Sequence, residues 1–147
     1  MILIQSEPFD PSAELAKFIA SVPGAGAVAS FAGLVRSDSD GREVSGLELD
    51  HYPALTEREI GRIADEAQVR FDLAGLAVVH RCGALAPGEP IVFVAAASAH
   101  RRAAFEAVDF VMDRLKTEAP FWKREHGPDG PRWIEARDAD LNDRARW

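Results

Sequence analysis

Apolar residues fall along the chain in two distinct rhythms, and the switches between them outline the elements. Ile2, Leu3 and Ile4 predict a short first strand. Behind it, Asp10-Pro11-Ser12 is a helix start, with Pro suited to the first turn, so a helix is expected to about Ser21. Past the turn Pro23-Gly24-Ala25-Gly26, the runs Ala27–Arg36 and Val44–Tyr52 read as two strands. The polar loop Ser37–Arg42 with its Asp-Gly step joins them, which predicts a hairpin with a long tip. Thr56-Glu57-Arg58-Glu59 fits a capping box, and Ile60, Ile63, Ala64 and Ala67 supply the apolar face of a helix reaching about Arg70. Ala74–Cys82 and Pro90–Ser98, separated by Pro87-Gly88-Glu89, predict a second pair of strands.

The longest helix is expected over Ala99–Glu118, capped by Ser98. Ala104, Phe105, Val108, Val111, Met112 and Leu115 recur there at helical spacing, and Pro120 stops it. A last strand is expected around Arg132–Ala136. The order β-α-β-β-α-β-β-α-β implies an α+β fold, a largely antiparallel sheet with flanking helices. No Gly-x-Gly-x-x-Gly follows a strand, which disfavours a doubly wound nucleotide-binding fold.

Composition narrows the function. With 147 residues, 47% of them hydrophobic, the chain suits one domain over residues 1–147. No stretch reaches the roughly 18 to 20 apolar residues of a membrane span, and the start lacks the basic and apolar regions of a secretory signal. A cytoplasmic protein with no membrane association is expected. The net charge of −7 argues against broad nucleic-acid binding, although a small anionic ligand needs only a local cluster of cations. One cysteine, Cys82, excludes an internal disulfide and a cysteine-rich zinc site, and reads as a small core residue. His51, His80, His100 and His126 show no metal-binding spacing, so no metal is expected. No serine sits in a Gly-x-Ser-x-Gly setting, and the carboxylate pairs Glu57/Glu59 and Asp138/Asp140 read as cap or surface charge.

Against that acidic background, Arg114, Lys116, Lys123 and Arg124 crowd one short segment with Pro120, Phe121 and Trp122 among them. Cations at a helix C-terminus are favoured by the macrodipole, which accounts for Lys116. Lys123 lies beyond Pro120, where the aromatic residues can bury its stem and lower its pKa, as suits an acid, base or nucleophile. Ser98-Ala99-His100-Arg101-Arg102 places cations in the first turn of a helix, against the dipole. Two readings fit that run: an anion site made of helix N–H groups and arginine forks, or two exposed arginines with a capping histidine. Arg36, at the end of its strand, is open in the same way.

These motifs, taken in order, are similar to one family. His80-Arg81-Cys82-Gly83-Ala84-Leu85-Ala86-Pro87-Gly88-Glu89, Ser98-Ala99-His100-Arg101, Asp113-Arg114-Leu115-Lys116 and Pro120-Phe121-Trp122-Lys123-Arg124-Glu125 resemble the catalytic (large) subunit of molybdopterin synthase, the MoaE family. The resemblance runs from about Gly26 to Asp138. It implies an α/β-hammerhead type of fold and an enzyme of molybdenum cofactor biosynthesis that needs no cofactor or metal. That enzyme converts cyclic pyranopterin monophosphate to molybdopterin by inserting two sulfurs as a dithiolene. The implied partner is a small ubiquitin-like sulfur carrier ending in a thiocarboxylated Gly-Gly, in a heterotetramer built on a homodimer. By position in the matching motifs, the resemblance gives Lys116 and Lys123 as catalytic and leaves open which performs which step. It gives Arg36, His100, Arg101 and Arg137 as substrate contacts, with Leu34, Val35, Arg124 and Glu125 flanking them. The loop 37–42 and the tail Leu141–Trp147 match no motif, and the tail is expected to lie loose or to cover a neighbour.

Helix geometry adds a constraint. His100 and Lys116 on one unbroken helix are about 24 Å apart along the axis and about 160° around it. One small substrate cannot touch both in one chain, so a homodimer is expected whose site joins the lysines of one copy to His100 and Arg101 of the other. The rival readings are a non-catalytic module that holds a pterin or nucleotide phosphate, and a scaffold for a ubiquitin-like protein.

Overall fold

The computed structural model describes residues 1–147, and the elements appear in the expected order with five additions. The first half comprises β1 (Ile2–Gln5), α1 (Pro11–Ser21), β2 (Ala27–Leu34), the two-residue strands β3 (Asp38–Ser39) and β4 (Arg42–Glu43), β5 (Gly46–His51) and α2 (Pro53–Arg70). The second half comprises β6 (Gly75–Arg81), β7 (Gly83–Leu85), β8 (Pro90–Ser98), α3 (Arg101–Glu118), β9 (Phe121–Gly127), β10 (Gly130–Ile134) and α4 (Asp138–Arg144).

One sheet has the order β1-β6-β8-β2, antiparallel except for the β1–β6 pair. Its central strands are buried on both faces, which is why they read as continuous apolar runs rather than alternating ones. Ala77, Val79, Phe93, Ala95 and Ala97 pack against Phe18 of α1. The opposite face, with Val78, Val94 and Ala96, packs against Ile60, Ile63 and Ala67 of α2 and Ala104, Ala107, Val108 and Val111 of α3. The second sheet has the order β10-β9-β5-β7 and is fully antiparallel.

The expected hairpin between residues 27–36 and 44–52 does not form. β2 pairs with β8, and β5 pairs with β9 and β7, so the chain changes sheets between them. The polar loop closes only on itself, as β3 against β4. Val35 shows why: its N–H donates to the Glu89 carbonyl and its carbonyl accepts the Gly88 N–H, holding the end of β2 on the β8 side.

Helix α2 begins at Pro53, three residues before the expected cap. Pro at the first helical position starts the turn, and Thr56 is fully buried inside it, its hydroxyl donating to the Tyr52 carbonyl at 3.0 Å. Nor is the tail loose. Trp147 packs edge-on against Phe71 and Phe110 and its indole N–H donates to Asp113 at 2.6 Å, while Arg70 donates to the Trp147 carbonyl at 3.0 Å. The tail covers its own chain.

Candidate functional site

Lys116 occupies the last turn of α3, and the backbone then turns extended at Ala119 ahead of Pro120. That break releases the chain into β9, a strand that sequence reasoning read only as a charged aromatic cluster. Successive strand residues face opposite ways, so Phe121, Lys123 and Glu125 share one side while Trp122 and Arg124 take the other. The break and the alternation together carry Lys123 back toward Lys116.

Both lysines line a cavity of ≈ 490 Å³. The end of β2 contributes Leu34, Val35 and Arg36; β6 contributes His80; α3 adds Met112 and Leu115; Glu125 lies beside Lys123. The link from β10 and the first turn of α4 close the wall with Ala136, Arg137 and Asp140. The cavity thus sits at the seam of the two sheets.

The charges inside it are ordered by burial and by pairing. Burial pushes the Lys123 ammonium below its ordinary value, nearby Lys116 adds to that, and Asp140 opposes it. Lys116 is half exposed, its Nζ 3.2 Å from Oδ1 of Asp140. The other carboxylate oxygen, Oδ2, accepts the Arg137 N–H at 3.1 Å. Burial raises the proton affinity of Asp140, but that N–H and the Lys116 ammonium outweigh it and hold the carboxyl below its usual range. Glu125 is buried and accepts from Arg132 Nε at 3.0 Å, and Arg132 also reaches Ser39 at 3.1 Å. Its charge is therefore spent in the wall.

His80 and Asp140 were missed as site residues. A lone histidine in an apolar strand gives no signal, and Asp140, paired with Asp138, looked like cap or surface charge. The His80 ring stacks on Phe121 with centroids 4.1 Å apart at 12°. Its Nδ1 lies 2.8 Å from the Arg81 carbonyl, which can only accept, so Nδ1 carries the proton and Nε2 keeps a lone pair. Burial pushes its pKa down to about 4, the Arg81 bond opposing and Lys123 and His51 assisting. The ring is thus neutral near pH 7.

Of the expected residues, the fold gathers Lys116, Lys123, Leu34, Val35, Arg36, Glu125 and Arg137. Arg124 is turned away: it donates to Glu48 at 2.6 Å and stacks 5.5 Å over Trp133, outside the cavity. His100 and Arg101 stand at the far end of α3, in a separate depression with Arg102, Phe105 and Glu106. The His100 side chain caps no backbone N–H, and Arg102 is taken by Glu106 at 2.9 Å. One copy of the chain therefore presents two cation groups at opposite ends of an unbroken helix. The cavity holds Arg36 and Arg137 for an anion and one amine of lowered proton affinity, a set suited to polar group transfer on an anionic substrate.

Known proteins are similar to this chain over nearly its full length. The model of the MoaE protein family matches residues 4–118. The molybdopterin synthase catalytic subunit of Pseudomonas aeruginosa is 54% identical over 146 residues, covering 99% of this chain and 97% of that protein. The solved molybdopterin biosynthesis MoaE protein of Burkholderia ambifaria superposes with a TM-score of 0.81 at 47% identity, covering 100% of this chain and 97% of that one. A molybdopterin synthase crystal structure from Staphylococcus aureus gives a TM-score of 0.80 at 29% identity, over 90% of this chain and 95% of that one. With the family model matching most of the chain and these relatives sharing about half of its residues and its fold, the chain belongs to the MoaE family.

Proposed function

We propose that the cavity is a sulfur-transfer site that converts cyclic pyranopterin monophosphate to molybdopterin. The sulfur comes from the thiocarboxylated Gly-Gly end of a small ubiquitin-like subunit. One observation carries the reading: the Pro120 break brings Lys116 and Lys123, from two different elements, to one wall with Arg36 and Arg137. Lys116, half exposed, is placed to meet the partner's acyl carbonyl, and the more buried Lys123 serves the pterin. Donors fixed around developing negative charge and a proton carrier nearby are what such a substitution requires.

The phosphate end of the substrate falls to His100 and Arg101 of a second copy. β2 supports this geometry, because it is an edge strand with β8 on one side only. Its leading end abuts the start of α3, so closely that a Cβ on Gly26 would clash with the Ala99 carbonyl oxygen. Its other end supplies Leu34 to the cavity. Phe31 and Leu34 are 40% and 53% exposed. Two such edges paired antiparallel about a two-fold axis set the first residues of one β2 beside the last residues of the other. The His100 end of each copy then lies toward the lysine end of its mate.

The direct test combines the protein with a thiocarboxylated small subunit and cyclic pyranopterin monophosphate and assays for dithiolene product. Product is expected from the wild type, with turnover lost and substrate affinity kept in Lys116→Ala. No product with a verified donor overturns the reading. Equal binding and function with an unmodified carboxylate partner would instead indicate a scaffold.

A further inference from the structure

Two ammonium groups a short distance apart on one wall are electrostatically costly unless something divides their work. Asp140 stands where that division is made. Oδ1 holds Lys116 Nζ at 3.2 Å and Oδ2 holds the Arg137 N–H at 3.1 Å, so a single carboxylate ties α3 to the first turn of α4. It also lies within electrostatic reach of Lys123, which carries no ion pair of its own within the chain.

We infer that Asp140 is a positioning residue that sorts the two lysines, fixing Lys116 as the standing cation at the mouth of the cavity and leaving Lys123 as the amine that exchanges the proton. The inference rests on the sulfur-transfer reading only for its consequence in turnover. In the step it describes, the lone pair of neutral Lys123 takes one proton from an acidic group of the substrate. Lys123 becomes an ammonium and that group keeps the electron pair; the reverse transfer resets it.

The groups facing Lys123 come from every surrounding element. Lys116 faces it from α3, Asp140 and Arg137 from the start of α4, His80 from β6 and Arg36 from the end of β2. Glu125, on its own strand, is engaged by Arg132, and Glu135 lies on the link ahead of α4. His80 is neutral near pH 7 and Glu125 is already paired, and of the charges around the cavity it is those of Lys116 and Asp140 that act on Lys123. They act in opposite directions: Lys116 drives the proton from Lys123 and Asp140 retains it.

That opposition gives a sign test that does not depend on activity. Lys123 is titrated by competitive acetylation across pH in the intact protein, with the label read by mass spectrometry. Asp140→Asn keeps an oxygen for the Arg137 N–H and removes the charge, and its Lys123 midpoint is expected to move acidward by about half a pH unit. Lys116→Met is expected to move it the other way by a similar amount, and Asp140→Glu to stay near wild type. In turnover, Asp140→Asn should lower kcat with KM nearly unchanged and shift the acid limb in step with the labelling midpoint. An unmoved midpoint in Asp140→Asn, or shifts of the same sign in Asp140→Asn and Lys116→Met, overturns the inference whatever the activity. Full turnover in Lys123→Ala would overturn the catalytic reading of the lysine instead, and the two failures are told apart by which experiment reports them.

Discussion

His80 makes the fold acid-sensitive in a way that can be worked out in advance. Its imidazole is 6% exposed and stacked on Phe121, and its pKa is pushed from 6.5 to about 4 in the folded chain. Between those values the unfolded histidine binds a proton and the folded one refuses it, so the unfolded state gains as pH falls. The stability present above pH 6.5 is therefore lost progressively below it, at about 1.4 kcal/mol per pH unit, and the loss is complete near pH 4 at roughly 3 kcal/mol. His80→Asn is the informative variant, because its amide retains a donor for the Arg81 carbonyl and cannot titrate. The loss of the aromatic stack lowers stability at every pH and so leaves the slope untouched. Urea unfolding at pH 7 and at pH 4.5 gives two free energies for each protein. Carboxylates held low by ion pairs, such as Glu48, Glu118 and Asp140, contribute to acid loss in both proteins and cancel in the comparison. Wild type should lose about 2 to 3 kcal/mol more than His80→Asn over that interval. Equal losses would mean that His80 is protonated in the fold, and the reasoning from its burial would fail.

Three further outcomes follow from the same geometry. Mixing Lys116→Ala with His100→Ala protein, with subunit exchange verified, should restore part of the activity, because one site in each hybrid dimer keeps both groups; no recovery removes the shared-site model. Phe31→Lys on the open edge of β2 should shift the protein toward monomer in analytical ultracentrifugation while leaving the circular dichroism unchanged, and an intact dimer would rule out pairing through that edge. Trp147→Ala should cost about 2 kcal/mol, since it empties a partly buried aromatic contact and leaves Asp113 without its indole donor. A change of less than about 0.5 kcal/mol in thermal or urea unfolding would show the tail to be unimportant to the fold.

How much the sequence disclosed depended on whether the signal was local. Helix α3 was legible because its apolar face repeats every turn and Pro120 ends it, while Lys116 and Lys123 were brought together by the family resemblance of their motifs. β8 and β6 were legible as strands, being β-branched and bounded by turn chemistry. Which strands pair was not, since the preference of Ala27–Leu34 for β8 over β5 is decided by hydrogen bonds at Val35 with residues far along the chain. α4 was missed because its apolar content is only Ala139 and Leu141, and it is held by ion pairs from Arg144 to Glu118 and from Asp140 to Lys116. Arg124 was drawn into the site by adjacency in sequence, when neighbours on a strand face opposite ways. The misplaced start of α2 has a similar origin, a capping box competing with a proline that outranked it.

That alternation along β9 has a consequence for how this chain can tolerate change. Lys123 reaches the cavity because it stands an even number of residues from Phe121 on a strand locked to β5 and β10, with Lys123 opposite Leu49 and Ile134. Replacing a residue ahead of it alters one side chain, but inserting or deleting one would exchange the faces of everything that follows and present Trp122 or Arg124 in its stead. Outside Pro120, Lys123, Glu125 and its glycines, the segment from Pro120 to Gly130 thus tolerates a change of letter more readily than a change of length. The sheet-changing loop over residues 37–42 carries no such parity, and there drift in length should accumulate among homologous chains without touching the chemistry.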